Sequence, residues 1–208
     1  MTMIRLAAAL AAATLIAASS ASSAWAQQAK PVHLRGTIEK LDGNVLSVKT
    51  REGASTTVKL ADNPRIAGLV KIQLSDIKQG DYLSISAMPQ PDGSQKATGL
   101  AIFMEAQRNV VPSVFIPWDH QPGGTMTNGS VDSMVAGVDG QTITAKYKDG
   151  EKKVIVPPNT PIVRFTPGSK DDLKPGAQFF IVAATKQDDG SYTAPAINVG
   201  RDGAVPPM

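Results

Sequence analysis

Apolar and polar residues alternate over short stretches of this chain, which is the pattern of half-buried β-strands. The alternation is clearest at residues 45–48 and 57–60, within a segment that runs from residue 35 to residue 60. Two tight-turn dipeptides, Asp42 with Gly43 and Glu52 with Gly53, interrupt this segment. Such dipeptides between alternating runs are typical of β-hairpins. Residues 35–60 therefore predict three short antiparallel strands.

The next forty residues predict two further strands and one short helical turn. Asn63 and Pro64 break the alternation, and the apolar piece at 66–74 is compatible with either strand or helix. Residues 75–80 have the composition of a capped turn that ends on Gly80. Strands are predicted at 81–87 and 97–103, on either side of a turn at residues 91–93.

The second half of the chain repeats this order of turns and strands. Gly129 corresponds to Gly36 at an offset of 93 residues, and later correspondences keep an offset of 96 or 97. The other matched positions are 138–140 with 41–43, 150 with 53, 154–156 with 58–60, 159 with 63, 172–176 with 76–80, 189–190 with 92–93 and 197–199 with 100–102. This order predicts a duplication, with repeat 1 at 33–103, a connector at 104–128 and repeat 2 at 129–200.

Five short strands with one helical turn after the third suggest a particular architecture. A sheet of that size exposes unpaired edges unless it closes on itself. Closure with a short helical plug predicts an OB-like barrel. We therefore expect an all-β protein of two tandem, small, five-stranded OB-like barrels joined by an ordered connector. The alternative is one larger β-sandwich built from both repeats.

The turn motifs also resemble those of a family of small exported bacterial β-barrels of unknown function. The resemblance is carried by Gly36, by Asp42 with Gly43 and by residues 76–80 in repeat 1, and by Gly129, residues 139–140 and residues 172–176 in repeat 2. It implies an exported OB-like barrel, present here as a tandem duplication. It implies no catalytic residue.

Residues 1–26 have the organisation of a cleavable signal peptide. Arg5 precedes an apolar run and a small-residue stretch that ends in Ala24, Trp25 and Ala26. An uncleaved anchor is the alternative, but the apolar run is shorter than the about 20 residues that a spanning helix needs. No later apolar run approaches that length, so we expect a periplasmic protein without a membrane span.

Composition excludes several functional classes. The chain has no cysteine, so disulfides and thiolate chemistry are not available. Its 21 Lys and Arg barely exceed its 18 Asp and Glu, and no basic cluster marks a nucleic-acid partner. The strands at 44–50 and 141–148 hold one aromatic residue, Tyr147, which is weak support for an oligosaccharide platform. Residues 201–208 are predicted to be a flexible tail.

The connector gathers the rare residues of the chain and holds the candidate site. We expect it to pack across both barrels and to line any ligand site, with Trp118 and His120 as the tentative ligand-binding residues. His120, Met126 and Met104 are a tentative metal set, since imidazole and thioether ligands suit Cu(I). Met134 is a more distant addition. The alternative roles are ordinary ones, with Trp118 as a packing residue and methionine as core filler.

Catalysis has little support in the sequence. Asp119 and His120 suggest a hydrolytic dyad, but no serine lies in a G-x-S-x-G elbow. The adjacent pairs 171–172 and 188–189 would point apart rather than act together, and His33 lies in a lead-in where a solvated role is expected. We therefore predict a non-enzymatic binding or scaffold protein without a cofactor, whose partner is a periplasmic protein or a small ligand. Copper handling is the alternative function.

Overall fold

The computed structural model describes residues 30–137 and 140–208, so the predicted signal peptide and the first residue of the predicted turn at 139–140 lie outside the described residues. No helix in these two ranges is long and apolar enough to cross a membrane. The described strands, in chain order, are β1 (Val32–Asp42), β2 (Val45–Thr50), β3 (Ser55–Lys71), β4 (Tyr82–Pro89), β5 (Gln95–Ile102), β6 (Val114–Pro117), β7 (Thr125–Gly137), β8 (Gly140–Tyr147), β9 (Gly150–Val156), β10 (Ile162–Pro167), β11 (Gln178–Lys186) and β12 (Tyr192–Gly200).

The strand and turn predictions for repeat 1 agree closely with these elements. β1, β2 and the first part of β3 are the three predicted strands, and β4 and β5 are the later two. The ambiguous piece at 66–74 is mostly strand, because β3 continues to Lys71. The predicted turn at 75–80 overlaps a 3-10 helix at Leu74–Asp76, and repeat 2 has its counterpart at Lys170–Asp172.

Five strands, three from the start of the described chain and two from its end, form a closed β-barrel. β1 pairs with β2 and with β11, β2 pairs with β3, β3 pairs with β12, and β12 pairs with β11. The β3–β12 ladder is parallel and the other four are antiparallel. The barrel encloses a core in which Ile38, Leu46, Val58 and Phe179 are at most 1% exposed.

The remaining strands trace a second ring of pairings. β4 pairs with β5 and β7, β7 with β8, β8 with β9, and β9 with β5. A second core lies inside, with Leu83, Ile85, Ile143 and Val154 fully buried. β10 pairs with both β3 and β5 and so joins the two sets, whereas β6 pairs with β7 at an edge.

The prediction of two tandem barrels is confirmed only in part. The protein is all-β and contains a closed five-stranded barrel, but that barrel takes β1, β2 and β3 from repeat 1 and β11 and β12 from repeat 2. The bounds 33–103 and 129–200 thus mark the two repeats in the sequence. They do not mark the two sets of strands that pair into rings, because each ring takes strands from both ranges. The physical reason is that strands with the same pattern of turns and alternation offer equivalent edges, so β12 can take the place beside β3 that β5 would occupy in a tandem arrangement.

The two repeats share the same two backbone features in their first strands. A Cβ on Gly36 would lie 2.2 Å from the Lys49 carbonyl oxygen, and one on Gly129 would lie 2.3 Å from that of Lys146. Real Cβ atoms do not approach so closely, so both positions require glycine. A register shift follows each glycine, between Ile38 and Lys40 in β1 and at the corresponding place in β7.

The segment at 201–208, predicted to be a flexible tail, is packed. Ala204 is fully buried and Met208 is 4% exposed. Arg201 anchors the start of the segment through two guanidinium hydrogen bonds of 2.7 Å to Asp172. Pro207 lies so close to Gly99 of β5 that a Cβ there would be 2.4 Å from it. Most apolar residues of this segment are therefore covered by the rest of the protein, and the exception is Val205, which is 54% exposed.

Paired cysteines test the exchange of strands between repeats. Thr37 in β1 lies opposite Gln178 in β11, and the two side chains form a 2.8 Å hydrogen bond. Opposed residues in antiparallel strands have the Cα separation that a disulfide requires. Because the native chain has no cysteine, Thr37→Cys with Gln178→Cys should give one intramolecular disulfide in the monomer, measured by intact mass and non-reducing electrophoresis.

The matched control is the pair Thr37→Cys with Tyr82→Cys. Tyr82 is the repeat 1 residue that would lie opposite Thr37 if each repeat closed its own barrel. A disulfide in this control monomer and not in the first variant would contradict the exchanged pairing.

Candidate functional site

The connector folds into an edge strand followed by a tight loop. β6 pairs with β7, and after it the Trp118 amide donates to the Gly124 carbonyl at 2.8 Å. The Gly124 amide donates to the Gln121 carbonyl at 2.9 Å, inside the same loop. These bonds hold residues 118–124 in a compact turn that presents Trp118, Asp119 and His120 to the first barrel.

Trp118 packs the connector onto that barrel. Its side chain is 9% exposed, and its ring centroid lies 4.3 Å from that of His33 in β1 and 6.1 Å from that of Phe180 in β11. The edge contact with Phe180 has the geometry that aromatic pairs prefer. At the other end of the connector, the Tyr82 hydroxyl donates to the Val111 carbonyl at 3.0 Å. The connector therefore contacts both sets of strands.

Asp119 is held by two residues of β1. Arg35 donates to one carboxylate oxygen at 2.7 Å, and His33 Nδ1 lies 2.8 Å from the other. Partial burial would raise the pKa of Asp119, but the hydrogen bonds from Arg35 and His33 outweigh it and lower the pKa below its ordinary value. The carboxylate is thus ionised and already bound by both partners.

The structure corrects the expectation for His33 and reveals Arg35. His33 is not in a solvated lead-in, because β1 begins at Val32 and carries the half-buried ring against Trp118. The Arg35 side chain is 12% exposed, lies 4.6 Å from the Phe180 ring centroid and donates through Nε to the Met208 carbonyl at 2.6 Å. Their spacing of two residues in a strand was the only signal in the sequence that they share a face.

His120 lies beside two arginines and the C-terminal segment. Its carbonyl accepts from Arg51 Nη2 at 2.9 Å, and its ring Nδ1 is 3.5 Å from Arg51 Nη1. Burial lowers the pKa of the imidazole, and the charges of Arg35 and Arg51 lower it further, whereas a hydrogen bond to the Met208 backbone and the charge of Asp119 oppose the shift. The net result is a lowered pKa, which favours the neutral form of the ring.

Two depressions flank this loop and share Arg51. The larger and more open one has a volume of about 740 Å³ and is lined by Trp118, Asp119 and the rest of the loop. The smaller one, about 240 Å³, lies over β1, β2 and β11 and is lined by Arg35, Lys49, Arg51 and His120. We call the smaller one the basic cavity.

The basic cavity carries excess positive charge. Among the ion pairs of the described residues, none involves Lys49 or Arg51. No carboxylate is among its lining residues, and Asp119, which lines the larger depression, is bound by Arg35 and His33. Lys49 and Arg51 are therefore cations without an acidic partner at the wall of a concave site.

The predicted metal ligands are distributed over two cores. Met126 and Trp118 belong to a third core, which lies outside the two rings and also contains Met208, and Met104 packs against it. Met134 packs instead against the second core. The His120 ring lies close enough to the backbone of Met208, a member of the third core, for that backbone to raise its pKa. Within residues 30–137 and 140–208, no group of three or more His, Asp or Glu side chains could hold a metal ion.

Comparison with known proteins found no family model, no curated protein and no solved structure that matches this chain.

Measurement of the His120 pKa by NMR tests the electrostatics of the basic cavity. We expect a value below the 6.5 of an ordinary histidine, because burial and the two arginines disfavour the charged ring. Arg51→Gln should raise it, since one of the two cations is removed. Lys59→Gln is the control, because exposed Lys59 lines neither depression and should leave the pKa unchanged. A wild-type value at or above 6.5 would contradict this description.

The lowered pKa of His120 also determines how this residue makes the stability of the protein depend on pH. The unfolded chain takes up a proton at His120 near pH 6.5, whereas the folded chain resists it. The stabilising contribution is complete above pH 6.5 and is lost as the pH falls through the lower folded pKa. We therefore expect the acid-induced decrease in Tm to be smaller in His120→Gln than in the wild type.

Proposed function

We propose that this chain is an exported, non-enzymatic binding protein that takes a small anionic ligand in the basic cavity. The observation that carries the proposal is the pair of cations, Lys49 and Arg51, that face a cavity of about 240 Å³ without an acidic partner. A carboxylate or phosphate would complete charge-assisted hydrogen bonds with these side chains. His120 would form one wall, and Trp118 would hold the loop that carries it.

The fold and the predicted signal peptide support a binding protein that acts in the periplasm. Each ring of strands joins three consecutive strands of one repeat to the last two of the other. A 3-10 helix follows β3 in repeat 1 and β10 in repeat 2. This organisation supports a pair of OB-like barrels related by strand exchange, a fold that binds ligands on its open strand face. The periplasmic location rests on the signal peptide predicted at residues 1–26.

Binding fits the geometry better than catalysis. Asp119 is directed at Arg35 and His33 rather than at His120. In the described part of the chain, no serine or threonine hydroxyl bonds to the His120 ring. A triad needs such a nucleophile–base contact and an orienting carboxylate behind the base.

Calorimetric titration with inorganic phosphate, succinate and glucose tests the proposal. We expect phosphate or succinate to bind and glucose not to bind, because the cavity supplies cations. Loss of a charged hydrogen bond costs about 1.5–3 kcal/mol, so Arg51→Gln should weaken binding roughly tenfold or more. Lys59→Gln is the matched control and should bind like the wild type.

The His120 pKa supplies a second signal in the same experiment. A bound anion should raise it, because negative charge beside the ring favours protonation. Anion binding with the same affinity in Arg51→Gln and in the wild type would sink the assignment to this cavity, and so would a ligand that leaves the NMR signals of His120 unmoved.

Copper handling is the second candidate. Met126 and Met208 lie with Trp118 in the third core, Met104 packs against it, and His120 is linked to it through the Met208 backbone. Thioether sulfurs and an imidazole suit Cu(I). The third core is thus the place in the described chain where the predicted ligands come closest to forming one set.

Titration with Cu(I) under a competing chelator separates this candidate from the first. If copper is the cargo, we expect sub-micromolar binding that Met126→Leu weakens strongly, since leucine keeps the volume but removes the sulfur. Met134→Leu is the control, because Met134 packs on the second core. Binding that is absent, or equal in both variants, would remove the copper function and leave the anion proposal intact.

A further inference from the structure

A group of buried polar atoms without partners lies on one face of the paired strands β4 and β7. Ser84 and Ser86 are each 1% exposed and Asn128 is 5% exposed. Neither serine hydroxyl has a hydrogen-bond partner within the described protein, and the Asn128 side-chain oxygen has none. Buried polar atoms are almost always paired with protein or water, so three on neighbouring positions require an explanation.

The strand register places these atoms together. Ser84 lies directly opposite Asn128, and Ser86 lies directly opposite Met126. Opposed residues of an antiparallel pair, and residues two apart in one strand, project to the same side of the sheet. The two serines and Asn128 therefore share a face, which we call the polar seam.

The neighbouring strands extend this face with small and apolar residues. On β5, Ala101 lies opposite Ser84, and Gly99 lies opposite Ser86. On β6, Ile116 lies opposite Met126. Trp118 follows two residues later, and its indole N–H is another buried donor without a partner in the described chain. No side chain at these positions is charged.

The seam is covered by the C-terminal segment and the third core. Pro207 is in close contact with Gly99, and Met208 packs with Ala101 and Met126. This cover excludes bulk water from the serines and Asn128. An unpaired hydroxyl or amide in such a place costs free energy comparable to a lost hydrogen bond, and several together cost more.

We propose that the polar seam is a binding site for an uncharged, hydroxyl-bearing molecule that bridges the second ring and the C-terminal segment. A serine hydroxyl can donate or accept, the Asn128 oxygen accepts, and the indole N–H donates. A hydroxyl group, which both donates and accepts, satisfies all of them, whereas an ion would be left without a counter-charge. Ordered water and a small alcohol or polyol share this chemistry. The site is separate from the basic cavity and does not depend on the function proposed for it.

Thr127 offers a matched comparison on the same strand. Its hydroxyl also has no partner in the described protein, and the residue is 1% exposed. It lies opposite Ile85, so its side chain is on the other face of the sheet, toward the second core. The two residues opposite it, Ile85 in β4 and Phe115 in β6, are apolar and offer it no partner.

Substitution of the seam serines tests whether a bound molecule pairs with their hydroxyls, because the sign of the change in Tm differs between a paired and an unpaired hydroxyl. Removal of an unpaired buried hydroxyl is neutral or stabilising, whereas removal of a paired one is destabilising. We expect Thr127→Val to keep or raise the Tm, and Ser84→Ala and Ser86→Ala each to lower it by about 2–4 °C. A rise in both serine variants, like that in Thr127→Val, would overturn the proposal.

Two measurements on the wild-type protein identify the molecule and require no variant. Native mass spectrometry of the full mature chain would reveal a retained alcohol or polyol as a defined mass increment. Water-selective NMR would instead reveal long-lived cross-peaks between water and the Ser84 and Ser86 side chains. Either signal supports the site and names its source, and the absence of both would refute it.

Discussion

The pairing of β3 with β12 is the interaction on which the rest of the structure depends. It runs in parallel from Val58 with Tyr192 to Leu69 with Gly200. β3 is 17 residues long, so one strand can pair with β2, β12 and β10 along its length. An unpaired strand edge is a liability, and here the other repeat removes it. The two halves of the chain are consequently parts of one structure.

The candidate sites follow from this exchange, because they lie where the two halves meet. The basic cavity combines Arg35 and Arg51 of repeat 1, His120 of the connector and Gln178 of repeat 2. The polar seam lies on β4 of repeat 1 and on the connector residues at the start of β7, and the C-terminal segment covers it. Neither site would exist in a repeat that closed by itself. The exchange of strands between the two halves thus creates surfaces that neither half would form alone.

Much of the local structure could be predicted from the sequence, but the partners of the strands could not. The Asp42–Gly43 turn and the repeated glycines at 36 and 129 marked β1 and β7 correctly, because tight turns and close backbone approach demand particular residues. Pairing across repeats leaves no such mark, since duplicated strands have the same alternation. For the same reason the sequence showed Trp118 and His120 but not Arg35, whose role depends on what β11 and the segment at 201–208 bring beside it.

The long β3 strand also sets the order in which the protein can fold. β1 and β3 each need a neighbour from the last thirty-odd residues of the chain, since β11 begins at Gln178 and β12 ends at Gly200. Until those strands have been made, the first three strands have two open edges and no means to close on their native partners. Contacts so distant along the chain are slow to form. A chain whose first three strands still lack β11 and β12 can pair with those strands of a second molecule. Domain swapping between molecules is therefore the misfolding that this architecture favours.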